Sequence, residues 1–188
     1  MKQAIFAFGI IAAAATAHAA TYEIDPYHSN ARFEIDHFNT SSNVGGVYEI
    51  KGEVEFDAKR KTGSANIVLP VANLQASSKA FTEHLQSADL FNVAQYPEIR
   101  FVGKKFNFSG NKVKSVTGDL TLLGKTRPVT LTATKFGCYN NPMKNNVEVC
   151  GGDFKATIDR TLWGMNYLVD AGMTKKVNIY VQIEATKK

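Results

Sequence analysis

The chain has 188 residues, and its 22 basic against 17 acidic side chains leave a formal net charge of +5. Hydrophobic residues make up 44% of the sequence, which is enough for one ordinary domain with a single core. The basic residues are scattered or lie in predicted turns, such as residues 59–61 and 175–176. A nucleic-acid-binding surface concentrates basic residues on one face, so the composition argues against a nucleic-acid partner.

The N-terminus has the order of a secretory signal peptide. Lys2 precedes an almost unbroken apolar run over residues 4–15, and Ala17-His18-Ala19 is a small-x-small cleavage site. The run is too short to span a bilayer stably, and no charge interrupts it as in a retained amphipathic helix. We therefore expect residues 1–19 to be a signal peptide, with cleavage after Ala20 as the alternative, and the mature protein to be periplasmic.

The mature chain, residues 20–188, alternates apolar and polar residues along most of its length. This period of two is typical of strands with one buried face. Turn signals such as Ser109-Gly110-Asn111 and Gly124-Lys125 separate the runs, and Gly52 interrupts the second apolar row, which indicates a bend. About eight strands are predicted, with these apolar rows in chain order: Phe33–His37, Tyr48–Phe56, Ala65–Leu69, Ile99–Phe101, Val116–Leu122, Val129–Ala133, Phe154–Ile158 and Val177–Ile183.

One segment between the third and fourth predicted strands breaks this period. Phe81, Leu85 and Ala88 are spaced as on one face of a helix, which predicts a short amphipathic helix over residues 79–88. Eight antiparallel strands with one apolar face each either stack as a sandwich or close into a barrel, and closure removes the exposed edges. We therefore predict an all-β, eight-stranded antiparallel barrel. The period does not decide whether side chains fill its interior or leave a tunnel. No other long apolar stretch follows the signal peptide, so we expect no stable membrane span.

Cys138 and Cys150 are the two cysteines of the chain. An even number in an exported protein indicates a disulfide, and the turn-rich residues 139–146 would let two strands face each other. Metal ligation or a redox pair is less favoured, because no further ligands lie nearby and the spacing is not C-x-x-C. We expect a disulfide, no metal site and no catalytic cofactor.

Few residues are candidates for catalysis. The mature chain has three histidines, His28, His37 and His84, and lacks the common nucleophile, zinc-protease and phosphate-binding motifs. Asp25, His28 and Ser29 are close in sequence, but neighbouring strand residues point to opposite faces, so they do not predict a catalytic triad. We interpret Asp25 and Ser29 as groups bonded to local backbone and His28 as structural.

His37 continues the inward row of Phe33 and Ile35. A polar group in that row needs a partner, because burying it unpaired costs about 1–3 kcal/mol. His37 is therefore either a satisfied core histidine or a group that orients the polar head of a ligand. An enzyme that uses His37 or His28 as its acid–base group, and a structural module with a filled barrel, are the alternatives to ligand binding.

Several short motifs follow one another along the mature chain. They are Tyr22-x-Ile24-Asp25-x-x-His28-Ser29, Phe33-x-Ile35-x-His37, Gly52-x-Val54-x-Phe56-Asp57, His84-Leu85-x-Ser87-x-Asp89-x-Phe91, Tyr96-Pro97-x-Ile99-x-Phe101, Gly118-x-Leu120-Thr121-Leu122-x-Gly124-x-Thr126-x-Pro128-Val129-x-Leu131, and Arg160 with Trp163-Gly164-Met165. Each motif alone is weak, but the ordered set resembles the YceI-like family of periplasmic, polyisoprenoid-binding proteins. In two places the chain departs from this pattern: Phe81-Thr82 stands where family members usually carry Arg-Asp, and the cysteine pair is not a general family feature.

The resemblance implies a lipocalin-like eight-stranded barrel, with a short helical segment between the third and fourth strands. It also implies a cavity that holds a long isoprenoid for transport or storage, either an isoprenoid quinone such as ubiquinone or a polyprenyl phosphate. The protein is then not an enzyme, its partner is the lipid, and both a monomer and a homodimer stay open. The predicted lipid-binding residues, from the inward rows and the irregular segments, are Phe33, Ile35, His37, Tyr48, Val54, Phe56, Leu85, Phe91, Phe101, Leu120, Phe154, Ile158, Trp163 and Ile179.

Overall fold

The computed structural model describes residues 19–188, so the predicted signal peptide lies outside the described residues except for Ala19. The described residues form eleven strands and one α-helix, α1, over Lys79–Gln86. Short 3-10 helices cover Val71–Asn73 and Arg160–Trp163. The strands are β1 (Ala20–Ile24), β2 (Asn30–His37), β3 (Ser41–Tyr48), β4 (Lys51–Asp57), β5 (Thr62–Pro70), β6 (Leu74–Ala76), β7 (Glu98–Ser109), β8 (Lys112–Leu122), β9 (Lys125–Asn141), β10 (Val147–Asp159) and β11 (Lys176–Lys187).

Eight of these strands close into a barrel. Their order around the ring is β1-β4-β5-β7-β8-β9-β10-β11, and β11 pairs back onto β1, with Tyr22 opposite Lys187 and Ile24 opposite Ala185. Every pairing is antiparallel. The predicted eight-stranded antiparallel barrel is therefore confirmed. Helix α1 lies between β5 and β7, the third and fourth ring strands in chain order.

The remaining three strands extend the wall beyond the ring at one end. The turn at residues 25–29 separates β1 from β2, and both strands pair with β11. Strand β2 pairs with the part of β11 that is nearer the N-terminal end of β11. Strand β3 pairs with β2, and β6 pairs with β3. The predicted first strand is β2 and lies in this extension, whereas the ring begins with β1, which the alternation did not identify.

The predicted strand from Tyr48 to Phe56 is split in two. Tyr48 ends β3, Glu49 adopts a left-handed backbone conformation with φ of 53°, and β4 begins at Lys51. The bend predicted at Gly52 is present. Its φ is 141°, and a Cβ there would lie 2.1 Å from the Asn66 carbonyl oxygen, so only glycine allows this close approach of β4 to β5.

Helix α1 begins at a cap and ends at Gln86, two residues before the predicted residue 88. The Ser78 hydroxyl accepts a hydrogen bond from the Phe81 amide, which satisfies one of the free N–H groups of the first turn. Leu85 is buried against the core, as its spacing predicts. Beyond the helix, the Phe91 amide donates to the Leu85 carbonyl at 2.9 Å, so the chain crosses the barrel end as a series of tight turns.

Cys138 and Cys150 form a disulfide, as predicted. They lie directly opposite each other on β9 and β10, and their Cα atoms are 4.1 Å apart. The bond therefore ties the hairpin together just below its turn. Since the two residues are 12 positions apart in sequence, the loop closed in the unfolded chain is short.

Arg160 organises the loop of residues 164–175 from the inside. Its side chain is only 2% exposed. Its Nε donates to the Thr174 carbonyl at 3.0 Å, Nη1 to the Met165 carbonyl at 3.1 Å and Nη2 to the Tyr167 carbonyl at 2.8 Å. Burial lowers the pKa of the guanidinium from its ordinary value. One side chain thus supplies hydrogen bonds to carbonyls at both ends of an irregular segment.

Replacing both cysteines with alanine (Cys138→Ala and Cys150→Ala) should lower the free energy of unfolding by about 3 kcal/mol, because the unfolded chain regains loop entropy. Urea unfolding followed by the fluorescence of the single tryptophan, Trp163, measures this loss. Dithiothreitol should shift the wild-type midpoint towards that of the variant and leave the variant itself unchanged. An unchanged wild-type midpoint on reduction would contradict the assignment.

Replacing Arg160 with methionine should lower the free energy of unfolding by about 3 kcal/mol, because it leaves one buried and two partly buried carbonyls without their donor. Arg160→Lys should recover little, since one ammonium cannot reach the carbonyls that a planar fork reaches. The exposed Arg127 provides the control, and Arg127→Met should change stability by less than about 0.5 kcal/mol. Urea unfolding gives the stability, and hydrogen exchange should report faster exchange confined to residues 164–175. Equal stability of the two methionine variants would contradict this role.

Candidate ligand-binding cavity

A cavity of about 480 Å³ runs through the interior of the barrel. All eight ring strands contribute to its lining, together with α1 and the loop of residues 164–175. Its volume lies within the range of about 300–1,000 Å³ that is typical of small-molecule sites. The barrel is therefore not filled by its own side chains, which decides the question that periodicity left open.

The interior stays open because large inward side chains pack flat against glycines of the wall. A Cβ on Gly45 would lie 2.7 Å from the Phe33 ring, and one on Gly118 would lie 2.8 Å from the Phe101 ring. These rings occupy the space that a side chain on either glycine would need. Bulky residues thus line the wall without crossing the axis of the barrel.

The two ends of the cavity differ. At the disulfide end, Tyr22 stacks on Phe56 with 4.9 Å between ring centroids, and Phe56 meets Phe136 edge-on at 5.9 Å. The Tyr22 hydroxyl leaves this cluster and donates to Glu148 at 2.6 Å. Burial, together with the Glu148 carboxylate, raises the pKa of that hydroxyl. This end is aromatic and apolar, and the Tyr22 hydroxyl that lies among its described lining residues is already paired.

The opposite end, which we call the mouth, is formed by α1, the C-terminal end of β2 and the loop of residues 164–175. Leu168 lines the cavity here while its side chain remains 39% exposed. His37, Asn43, His84 and Tyr167 also lie in the lining at this end. Most of the polar lining side chains therefore gather where the cavity approaches the surface.

All but two of the predicted lipid-binding residues line the cavity. Phe101 and Leu120 face each other across β7 and β8, and Leu85 and Phe91 cover the mouth from the helical crossing. The predicted residues found in the lining are Phe33, Ile35, His37, Val54, Phe56, Leu85, Phe91, Phe101, Leu120, Phe154, Ile158 and Ile179.

Tyr48 and Trp163 lie outside the lining, so the prediction for their position is corrected. Tyr48 is 37% exposed because Val47, its neighbour on β3, is the residue that faces the core. Its inward assignment assumed one strand through Phe56, and the break at Glu49 removes that continuity. Trp163 is buried outside the cavity lining. Its Nε1 donates to the Leu120 carbonyl at 3.0 Å, near the C-terminal end of β8.

The cavity lining also includes residues that the sequence analysis does not predict as lipid-binding. Ile67 and Leu69 belong to the predicted alternating row of β5, so the signal for them was present. Tyr167 and Met173 lie in an irregular loop, where no periodicity indicates which side chains face inward.

Asp25, His28 and Ser29 do not form a catalytic triad. His28 Nδ1 lies 3.0 Å from Asp25 Oδ2, but the Ser29 hydroxyl donates to the Glu184 carbonyl at 3.1 Å and accepts from the Glu184 amide at 3.0 Å. Ser29 is thus bonded to the backbone of β11 and not to local backbone. Burial raises the pKa of the Asp25 carboxyl, but hydrogen bonds from His28 and from the Tyr27 amide outweigh it and keep that pKa below its ordinary value. Their geometry indicates a structural role at the junction of β1 and β2.

Within residues 19–188, no cluster of three or more histidine, cysteine, aspartate or glutamate residues could hold a metal ion. No helix among the same residues has the length and apolar character needed to cross a bilayer.

Comparison with known proteins gives both relatives and structural neighbours. A UPF0312 protein of Vibrio campbellii is 31% identical over 196 aligned positions, covering 100% of both chains. The crystal structure of the Campylobacter jejuni YceI protein matches with a TM-score of 0.68 at 22% identity, over 82% of this chain and 90% of that one. A structure described as a polyisoprenoid binding domain from Saccharophagus degradans, implicated in plant cell wall breakdown, matches with a TM-score of 0.60 at 10% identity, over 90% and 99% of the two chains.

The family comparison agrees with the ordered motifs and with the barrel. The model of the YceI-like domain matches residues 22–185, which is nearly all of the described residues 19–188. The chain therefore belongs to the YceI-like family.

Proposed function

We propose that this protein is a periplasmic binding protein that holds a long-chain isoprenoid in its barrel cavity for transport or storage. The observation that carries the proposal is a continuous apolar cavity that extends from the aromatic cluster around Phe56 to the mouth. The ligand would be an isoprenoid quinone such as ubiquinone or a polyprenyl phosphate, and the protein would act by binding and not by catalysis.

The dimensions of the barrel favour a long and thin ligand. Strand β11 has 12 residues, which corresponds to about 40 Å of chain at about 3.3 Å per residue. Barrel strands tilt by about 35–45°, so the interior is about 30 Å deep. A compact hydrophobic molecule would occupy only part of such a cavity, whereas an isoprenoid tail could follow its length.

The energetics also suit such a ligand. A tail that buries several hundred Å² of apolar surface gains on the order of 10 kcal/mol at about 25 cal/mol per Å². The losses of translational, rotational and chain freedom reduce this gain. Methyl-branched chains can contact the methyl groups and rings of the wall over most of their surface. The Saccharophagus degradans domain, described as polyisoprenoid binding, supports the same ligand class.

The location of the protein is part of the proposal. The N-terminal sequence has the order of a signal peptide, and the Cys138–Cys150 disulfide is compatible with an oxidising compartment. We expect the mature protein to be recovered from the periplasmic fraction with an N-terminus at Ala20. Edman sequencing or intact-mass measurement checks the cleavage site. Recovery of the full-length chain from the cytoplasmic fraction would contradict export.

Native mass spectrometry of protein purified from its own host tests ligand binding. We expect a bound species whose mass matches an isoprenoid lipid, and extraction with organic solvent followed by tandem mass spectrometry identifies it. A ligand-free protein that also takes up neither ubiquinone nor a polyprenol would refute the proposal.

Variants of the cavity wall make the same test specific. Phe101 is 7% exposed and faces the cavity, whereas its neighbour Val102 is 40% exposed on the outer face. Phe101→Glu should abolish lipid retention, because a carboxylate in an apolar cavity is poorly solvated, and Val102→Glu should retain the lipid. Should Phe101→Glu fail to fold, Ile179→Trp blocks the cavity without a charge, and Tyr180→Trp on the outer face is its control. Normal lipid content in a folded cavity variant would count against the assignment.

A further inference from the structure

We propose that His37, Asn43, His84 and Tyr167 form a head-group site at the mouth that selects isoprenoids with a neutral, oxygen-bearing head over their phosphates. This inference rests on the proposed function, since it assumes that the cavity holds the isoprenoid tail. It narrows the ligand class, because the apolar cavity alone accepts either kind of head.

Strand register places the first two residues together. His37 and Ile35 point to the cavity on β2, and Ile35 pairs with Asn43 on β3. His37 pairs with Ser41, so His37 and Asn43 are diagonal neighbours on the same face. Diagonal neighbours on adjacent strands are about 7–8 Å apart, close enough for both to contact one head group.

The other two residues meet across the mouth. The rings of His84, in the last turn of α1, and Tyr167 lie edge to face with 5.1 Å between centroids. The hydrogen bond from Arg160 to the Tyr167 carbonyl holds the tyrosine backbone in place. A chain that leaves the cavity at this end therefore passes groups fixed on four different segments.

The hydrogen-bonding capacity of these side chains is unused within the protein. In the described part of the chain, none of the four side chains forms a hydrogen bond to another residue; His37 and His84 make only ring contacts, to Phe38 and Tyr167. An imidazole, an amide and a phenol can each donate and accept. Carbonyl, hydroxyl or ether oxygens on a ligand would pair with them, and polar groups held at an apolar site gain most from such pairing.

The charges around the cavity do not suit a phosphate. Across residues 19–188, the lining includes no lysine, and its two arginines are Arg32 and Arg160. Arg160 already donates from all three nitrogens to backbone carbonyls. Arg32 borders the cavity, but it alternates with the inward residues Ala31 and Phe33 and is exposed, so its side chain is directed to the outer face of β2. A phosphate ester carries about −1.5 to −2 charges at pH 7, and it would lose water here without gaining an ion pair.

The experiment compares three ligands with the same isoprenoid carbon skeleton: geranylgeraniol, geranylgeranyl phosphate and the saturated hydrocarbon phytane. Delipidated protein is titrated at pH 8, where the phosphate is a dianion, and bound ligand is counted by native mass spectrometry. We expect the wild type to bind geranylgeraniol at least 10-fold more tightly than geranylgeranyl phosphate, and more tightly than phytane.

Variants of the site then locate this preference. Asn43→Leu and Tyr167→Phe should each weaken geranylgeraniol binding by about 5- to 10-fold and leave phytane binding unchanged. The control Ser42→Leu, on the exposed outer face of β3, should change neither. Tyr167→Phe keeps the ring contact with His84, so it tests the hydroxyl even if the leucine variant folds poorly.

The possible failures are distinguishable. If the phosphate binds as tightly as the alcohol, or if Arg32→Met selectively abolishes phosphate binding, the head-group assignment is overturned while the proposed function stands. Equal binding of alcohol and phytane, with no effect of either variant, has the same meaning. If none of the three ligands binds, the proposed function fails and this inference fails with it.

Discussion

The pairing of β1 with β11 is the interaction on which the rest of this structure depends. Strand β1 has only five residues, yet it pairs with β4 on one side and with β11 on the other. It therefore closes the ring between these two strands. Closure leaves no exposed edge in the ring and turns one face of every ring strand towards a common interior. The cavity exists because these eight inward faces are apolar and enclose more space than their side chains fill.

The same junction creates the mouth. After β1 the chain turns at residues 25–29, where the Ser29 hydroxyl bonds to both backbone groups of Glu184, and β2 then continues along β11. This turn carries β2, β3 and β6 beyond the ring, so that they form a wall to which the helical crossing can pack. The mouth is therefore built on the ring closure and is not a separate addition to it.

Polar groups at the two ends of the barrel are used in different ways. At the disulfide end Tyr22 has a partner in Glu148, and inside the loop at the mouth Arg160 has three backbone partners. Both side chains stabilise the fold and offer little to a ligand. The imidazole, amide and phenol groups at the mouth have no such partners in the described chain.

The sequence by itself determined the barrel, its helical crossing, the disulfide and most of the cavity wall, because these depend on local patterns. Alternation identifies the inward residue wherever a strand is continuous, as for Phe101 and Leu120, and two cysteines in a predicted hairpin of an exported chain favour a disulfide. Tertiary structure decided the exceptions. The left-handed backbone of Glu49 ends the strand that would have placed Tyr48 inward. The Trp163 indole lies outside the cavity lining, where it donates a hydrogen bond to the carbonyl of Leu120, a residue distant in sequence. Tertiary structure also decided that the interior is open, since whether bulky rings cross the axis or lie against glycines such as Gly45 and Gly118 depends on the register in which neighbouring strands pair.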